Sequence, residues 1–249
     1  MRMTGSVALV TGANKSIGYE VVRELARRGM TVYLGSRNEQ AGHAAAETLK
    51  DEGDVRPVRL DVTDRETMEA AIELVRSNHG CLDVLVNNAA ASGVGNDILT
   101  TEMDDVKSLF ETNVWGPVVL VQLAAPLLRA AKAARIVNVS SSAGSFDYLV
   151  GRGKYSALSS RWGAEMVKPF GYCTSKTALN AATVLLADAF RKDGVKVNAA
   201  NPGLVKSALS QFAGERGPEE GAKIIVRLAT LPDDGPTGGF FEQDGEVSW

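Results

Sequence analysis

Val7-Ala8-Leu9-Val10-Thr11-Gly12-Ala13-Asn14-Lys15-Ser16-Ile17-Gly18 is the stretch on which the fold turns. Four apolar residues predict a short buried strand. Thr11-Gly12 permits a tight turn, and from Ile17 the apolar residues recur at helical spacing through residue 28. A strand, a glycine turn and a helix N-terminus make a concave anion site, because the first N–H groups of a helix lack internal acceptors and carry partial positive charge. The glycines do not follow G-x-G-x-x-G, so the turn by itself also fits an ordinary strand-to-helix connection.

The alternation continues outward. Apolar, β-branched runs at 31–34, 55–60, 82–86, 135–139 and 195–199 join 7–10 as predicted buried strands. Helical period marks 17–28, 40–52, 65–78, 103–131 (long enough for two helices) and 172–192. Strands that alternate with helices predict an α/β chain with a doubly wound parallel sheet. Continuous apolar strands fit a sheet covered on both faces. Gly238-Gly239-Phe240-Phe241 predicts a short last strand. With no repeat and no low-complexity linker, residues 1–249 are expected to form one domain. Residues 142–170 and 203–218 resist assignment; loops of that length are usually functional, and the first has room for a short helix.

Composition excludes several classes. With 27 basic and 30 acidic residues the formal charge is -3, which removes the electrostatic case for nucleic acid or anionic membrane as partner. Cys81 and Cys173 form no CxxC pair, and His43 and His79 are the only histidines, so neither a disulfide framework nor a metal site is expected. The most apolar long stretch, 114–128, is interrupted by Gly116, Pro117, Gln122 and Pro126 and falls short of a membrane span. A soluble, cytoplasmic protein is expected.

Several motifs, in order along the chain, give the loop ends a chemistry. Thr11-Gly-x-x-x-Ser-x-Gly18 resembles the TGxxxGxG turn of the short-chain dehydrogenase/reductase family, with Ser16 where that family usually has glycine. Serine is a good helix N-cap, and its hydroxyl can also hydrogen-bond locally or to a phosphate; an N-cap is the role expected first. The resemblance implies a single Rossmann-type domain and a dinucleotide held by Gly12, Asn14, Lys15, Ser16, Ile17 and Gly18. Arg37 follows the second strand, where an acidic residue would bind a ribose 2′-hydroxyl and arginine suits a 2′-phosphate. With Lys15 nearby, this favours NADP(H) over NAD(H). Asp61 and Val62 resemble the adenine-contacting position, and Asn87-Asn88-Ala89-Ala90 resembles the NNAG motif with Ala90 replacing glycine. Pro202 and Gly203 resemble the turn beside the nicotinamide, and Val205 and Ser207 fall where the carboxamide and phosphate contacts are expected.

Tyr172 and Lys176 lie four apart, on one face of a predicted helix. An ammonium beside a phenol lowers the phenol's pKa from about 10 toward working pH, which suits proton exchange with a carbonyl or alcohol oxygen. Tyr155 has Ser159 four residues on and lacks that partner. Ser140-Ser141-Ser142 follows the fifth strand, and a hydroxyl there can bond a substrate oxygen as charge develops. By the same resemblance Ser141 is the catalytic serine, Tyr172 and Lys176 are the proton donor and its partner, also in contact with the cofactor, and Asn113 holds a water-mediated link to the lysine. The resemblance spans about residues 7–207 and implies an NADPH-preferring, carbonyl-reductase-like enzyme that reduces a ketone or aldehyde reversibly.

Thirty-one positions separate Ser141 from Tyr172, more than is usual in the family. The insertion, with Tyr148, Tyr155, Trp162, Met166 and Phe170, is expected to wall the substrate pocket and to obstruct the family's helix-face dimer; monomer and homo-oligomer both stay open. Val94, Ile98, Tyr148, Trp162 and Phe212 suggest an apolar or aromatic small-molecule substrate. Two alternatives carry less weight. A non-catalytic NADP(H)-binding sensor would be expected to have lost Tyr172 or Lys176, and a sugar-nucleotide epimerase or dehydratase would be expected to have a larger C-terminal substrate region.

Overall fold

The computed structural model describes residues 3–93, 97–155 and 168–249. The expected positions of Val94, Ser159, Trp162 and Met166 lie outside the described residues. Among the described residues one sheet runs in the order β3-β2-β1-β4-β5-β6-β7-β8. Its strands are β1 (Val7–Val10), β2 (Thr31–Ser36), β3 (Val55–Arg59), β4 (Val84–Asn87), β5 (Arg135–Val139), β6 (Lys196–Ala200), β7 (Phe240–Glu242) and β8 (Gly245–Glu246). All neighbours pair in parallel except β7 and β8, which close the edge as an antiparallel hairpin. The order reverses between β1 and β4, which opens a crevice at the carboxyl ends of the strands.

Strand periodicity sorts the core into two layers. Ala8, Val10, Val32, Leu34, Val84 and Val86 face one side, where they meet Val21, Val22 and Leu25 of α1 (Ser16–Arg27) and Ala45 and Ala46 of α2 (Glu39–Thr48). Val7, Leu9, Tyr33, Leu85 and Ile136 face the other, against α3 (Arg65–His79) and α5 (Gly116–Ala130). Alternating residues of each strand are thus buried on opposite faces, the arrangement a doubly wound sheet requires. α4 (Met103–Phe110) leads into α5 through a π-helical turn, Glu111–Trp115, so the expected pair of helices is present with a bulge between them.

Four expectations are corrected. β3 is a half-buried edge strand, because only β2 flanks it; its Arg56 and Arg59 reach toward water and its Pro57 needs no ladder donor there. Arg135 opens β5 as a buried charge: its guanidinium bonds the carbonyls of Ala134 and Leu231 and the carboxylate of Asp233, which ties down a loop where a wholly apolar strand was expected. Ser16 is not the N-cap of α1. Lys15 holds that position, and Ser16 is the first helical residue at φ 54, the left-handed region that favours glycine. A helix follows the 203–218 loop where none was expected: after α6 (Phe146–Val150) and α7 (Phe170–Ala189) comes α8 (Pro218–Ala229). Pro218 at its first turn, Glu219 and Glu220 beside it, and buried Ala222, Ile225 and Ala229 at helical spacing are the signals that mark it. It packs alongside α1 on the Ala8/Val10 face of the sheet.

Candidate active site

The glycine turn is clasped from the side. Gly12 sits at φ +60, and a methyl group there would strike the Ala89 backbone at 2.9 Å; one on Gly18 would meet the Asn88 side-chain nitrogen at 2.5 Å. Asn88 Nδ2 donates to the carbonyls of Thr11 (2.9 Å) and Gly12 (3.1 Å), and the Thr11 hydroxyl accepts from the N–H groups of Asn88 and Ala89. Asn88 therefore shapes the cradle, and its amide nitrogen is spent on the turn. α1 has no side-chain cap and no acidic residue in its first turn, whereas α2 and α3 are capped by Asn38 and Asp64 and carry Glu39 and Glu66 there. Lys15 and Arg37 are exposed beside this end of the sheet, with Asn14 and Ile17 half-buried between them. A cradle too tight for a Cβ, an open helix N-terminus and two exposed cations fit a phosphate-bearing dinucleotide.

The remaining expected cofactor contacts line the same edge. Asp61 caps its own turn by accepting from the N–H and hydroxyl of Thr63 (3.0 and 2.8 Å), and Val62 is buried behind it. Ala89 and Ala90 are half-buried after β4, while buried Pro202, Gly203, buried Val205 and half-buried Ser207 follow β6. Val205 pairs with Arg216 across the base of its loop, and the loop's Leu209 carbonyl accepts from the Ser92 hydroxyl (3.1 Å). Exposed Ile98, Leu99, Leu209 and Phe212 belong to the two loops so joined.

β5 and α7 bring the catalytic candidates together. Ser141 leaves β5 in extended conformation, its hydroxyl accepts from the Ala143 N–H (3.2 Å), and it stands near enough to Tyr172 to draw the phenol's pKa down. Tyr172 and Lys176 lie on the first two turns of α7, and the Lys176 ammonium stands 5.7 Å from the centroid of the Tyr172 ring. Lys176 is 2% exposed and its Nζ donates to the Val139 carbonyl at 2.8 Å. Asn113, fully buried in the π-helical turn, accepts from the Ala91 N–H (2.8 Å) and donates to the Ala91 carbonyl (2.9 Å) and the Ser175 hydroxyl (3.0 Å). Its side chain thus fastens the Tyr172 helix to the loop after β4.

Electrostatics depart from the simple expectation. Burial pushes Tyr172 up to about 12, opposed by the nearby Ser141 hydroxyl, and burial pulls Lys176 down to about 8. In the chain alone desolvation sets the direction for the phenol, which is a correction to the expected lowering. Cys173, next to the tyrosine, is buried and pushed up to about 11, so it stays a thiol. Among the described residues no cluster of ligating side chains holds a metal, and no helix is long and apolar enough to cross a membrane.

Ser175 contributes to the site and escaped sequence reasoning, and Asn201, legible as the residue that opens the Pro202-Gly203 turn, makes contacts that were not. A small polar residue three after Tyr172 and one just before the Pro202 turn were the available signals. Each bonds a near neighbour, Ser175 the Tyr172 carbonyl and Asn201 the Gly203 N–H, but the distant partners, Asn113, Ser142 and Glu242, could not be read locally.

A model of the short chain dehydrogenases matches residues 6–168. The chain belongs to the short-chain dehydrogenase/reductase family. It is an oxidoreductase of that family, and its relatives include proteins named as reductases and as dehydrogenases. Isopiperitenone reductase of Mentha piperita is 33% identical over 95% of this chain and 96% of its own. NADPH carbonyl reductase 1 of Bos taurus is 32% identical over the whole of both. The structure of salutaridine reductase from Papaver somniferum matches with a TM-score of 0.80 at 31% identity, covering 96% of this chain and 99% of that one.

Proposed function

We propose that this reductase uses NADPH to reduce a ketone or aldehyde on an apolar small molecule. The observation that carries the reading is the convergence of Ser141, Tyr172 and Lys176 at the carboxyl end of β5, beside a cradle with exposed Lys15 and Arg37. Bound NADPH supplies the hydride that reaches the carbonyl carbon. Everything else is done by the chain. Lys15 and Arg37 meet the 2′-phosphate, which a neutral ribose hydroxyl would not reward. The Ser141 hydroxyl bonds the substrate oxygen and keeps it in reach of Tyr172. Tyr172 gives its proton to that oxygen as negative charge builds there. Lys176, buried and cationic below about 8, stabilises the tyrosinate that results and bonds the ribose. Asn113 and Ser175 hold α7 in register with the loop after β4, which supports the path by which Tyr172 is reprotonated.

The name of the Bos taurus relative specifies NADPH, in line with Arg37. The apolar loops bearing Ile98, Leu99, Leu209 and Phe212 support a substrate that is itself largely apolar. Retention of Tyr172 and Lys176 together argues against a binding-only role. Tyr172→Phe tests the assignment: turnover falls at least ~100-fold, the contribution of a positioned proton donor, while NADPH affinity stays within about threefold. Undiminished turnover in that variant rules the assignment out.

A further inference from the structure

The loop that carries Ser141 and the turn that carries Gly203 are held by one atom. Asn201, buried at the end of β6, accepts on its Oδ1 from the N–H of Ser142 (3.2 Å) and from the N–H of Gly203 (3.1 Å). Its Nδ2 donates to the Glu242 carboxylate at 3.1 Å. Glu242 ends β7, and the Asn201 N–H also donates to the Phe241 carbonyl at 2.7 Å. Arg227 of α8 fixes the hairpin by donating to the backbone carbonyls of Glu242 and Gln243.

We propose that Asn201 and Glu242 are a positioning pair that sets the distance between the Ser141 loop and the Pro202-Gly203 turn. The inference rests on the reductase reading, in which those two segments face substrate and nicotinamide. A carboxamide has one accepting and one donating end. Two N–H groups stand at one end of Asn201 and a carboxylate at the other, so a single orientation satisfies all three contacts. Glu242 makes that orientation the only good one, because flipping the amide would set oxygen against carboxylate and nitrogen against two N–H donors. The C-terminal hairpin thereby takes part in active-site geometry through a residue that touches neither substrate nor cofactor.

The pair can be inverted, and that is its test. Asn201→Asp sets two carboxylates about 3 Å apart and expels one of them. Adding Glu242→Gln restores a donor facing an acceptor: the introduced amide nitrogen donates to the new carboxylate, which still accepts from Ser142 and Gly203. Carbonyl-dependent NADPH oxidation, NADPH affinity by fluorescence and thermal unfolding are measured for the wild type, both single variants and the double variant. N201D is expected to lose roughly 30-fold in kcat/KM, the equivalent of one charge-assisted hydrogen bond, and to bind NADPH several-fold more weakly. The double variant is expected to return to within about threefold of E242Q on both measures. N201D indistinguishable from the wild type, or a folded double variant with no recovery, overturns the pair. If N201D alone does not fold, the double variant decides by the same criterion. A wild type that oxidises NADPH with no carbonyl compound defeats the reductase reading, and the four NADPH affinities still decide the pair.

Discussion

Lys176 is where function and stability oppose each other most openly. It is almost fully buried, with the Val139 carbonyl as its hydrogen-bond acceptor, and burial brings it from 10.5 to about 8. Between those two values the unfolded chain binds the proton that the folded chain has released, so stability rises with pH across that window. Near neutral pH the folded chain carries the full cost of the buried ammonium, about 3 kcal/mol. Lys176→Met is therefore expected to abolish turnover yet raise Tm by several degrees near neutral pH, with the gap narrowing as pH approaches ~10. Thermal unfolding at two pH values checks it, and a lower Tm for the variant at neutral pH contradicts it. Ser16 carries a smaller cost. At φ 54 a side chain costs about 1 kcal/mol relative to glycine, so Ser16→Gly is expected to raise Tm by about 2–4 °C with no loss of NADPH affinity. The four-residue spacing of Tyr172 and Lys176 was legible in the sequence. The direction of the tyrosine's shift was not, because it depends on how much water the fold excludes.

Among the elements, those with strong local signals were legible: β1, β2 and β5, α1 and α3, and the division of the 103–131 stretch into two helices. Three features were not legible, two of them for want of such a signal. β3 resembles its neighbours in composition, but only pairing order shows that it lies at the edge. α8 carries local signals in Pro218, Glu219, Glu220 and its apolar spacing, which the loop before it, rich in glycine and charge, obscured. The π-helical turn depends on a close approach: a methyl on Gly116 would run into the Val62 carbonyl and meet the Glu111 carbonyl at 3.0 Å. That contact seats Asn113 opposite Ala91 and presses the helix against the segment carrying Asp61 and Val62. Gly116→Ala is expected to cost about 1–3 kcal/mol through overpacking and to weaken NADPH binding at the same time. A variant of unchanged Tm and affinity would show that the turn tolerates the shift.

At the scale of the molecule, the C-terminal hairpin and the insertion after Ser141 support each other. Tyr155 is buried against Ala199, Phe240 and Val247, and Tyr148 meets it edge-on at 5.5 Å. Trp249 stacks on Phe240 at 5.6 Å, and the Ser145 hydroxyl donates to the Ser248 carbonyl at 3.0 Å. Tyr148 and Tyr155, expected as walls of the substrate pocket, pack instead against this hairpin, whose distance along the chain kept those partners out of sight. Phe240→Ala removes the shared anchor and is expected to cost about 3–5 kcal/mol by leaving a cavity, with kcat/KM falling as the Ser141 loop loses its backing. Denaturant unfolding and initial rates check both effects, and a stable variant with normal kinetics would separate the hairpin from the site. The central claim is tested most directly by initial rates of NADPH oxidation over aliphatic, aromatic and polycyclic ketones, with NADH in parallel. The account predicts turnover of apolar ketones with NADPH, and kcat/KM at least ~10-fold lower with NADH, since one lost charge-assisted phosphate contact is worth that much. Binding of NADPH with no oxidation by any of these carbonyl compounds, or equal rates with NADH, would contradict it.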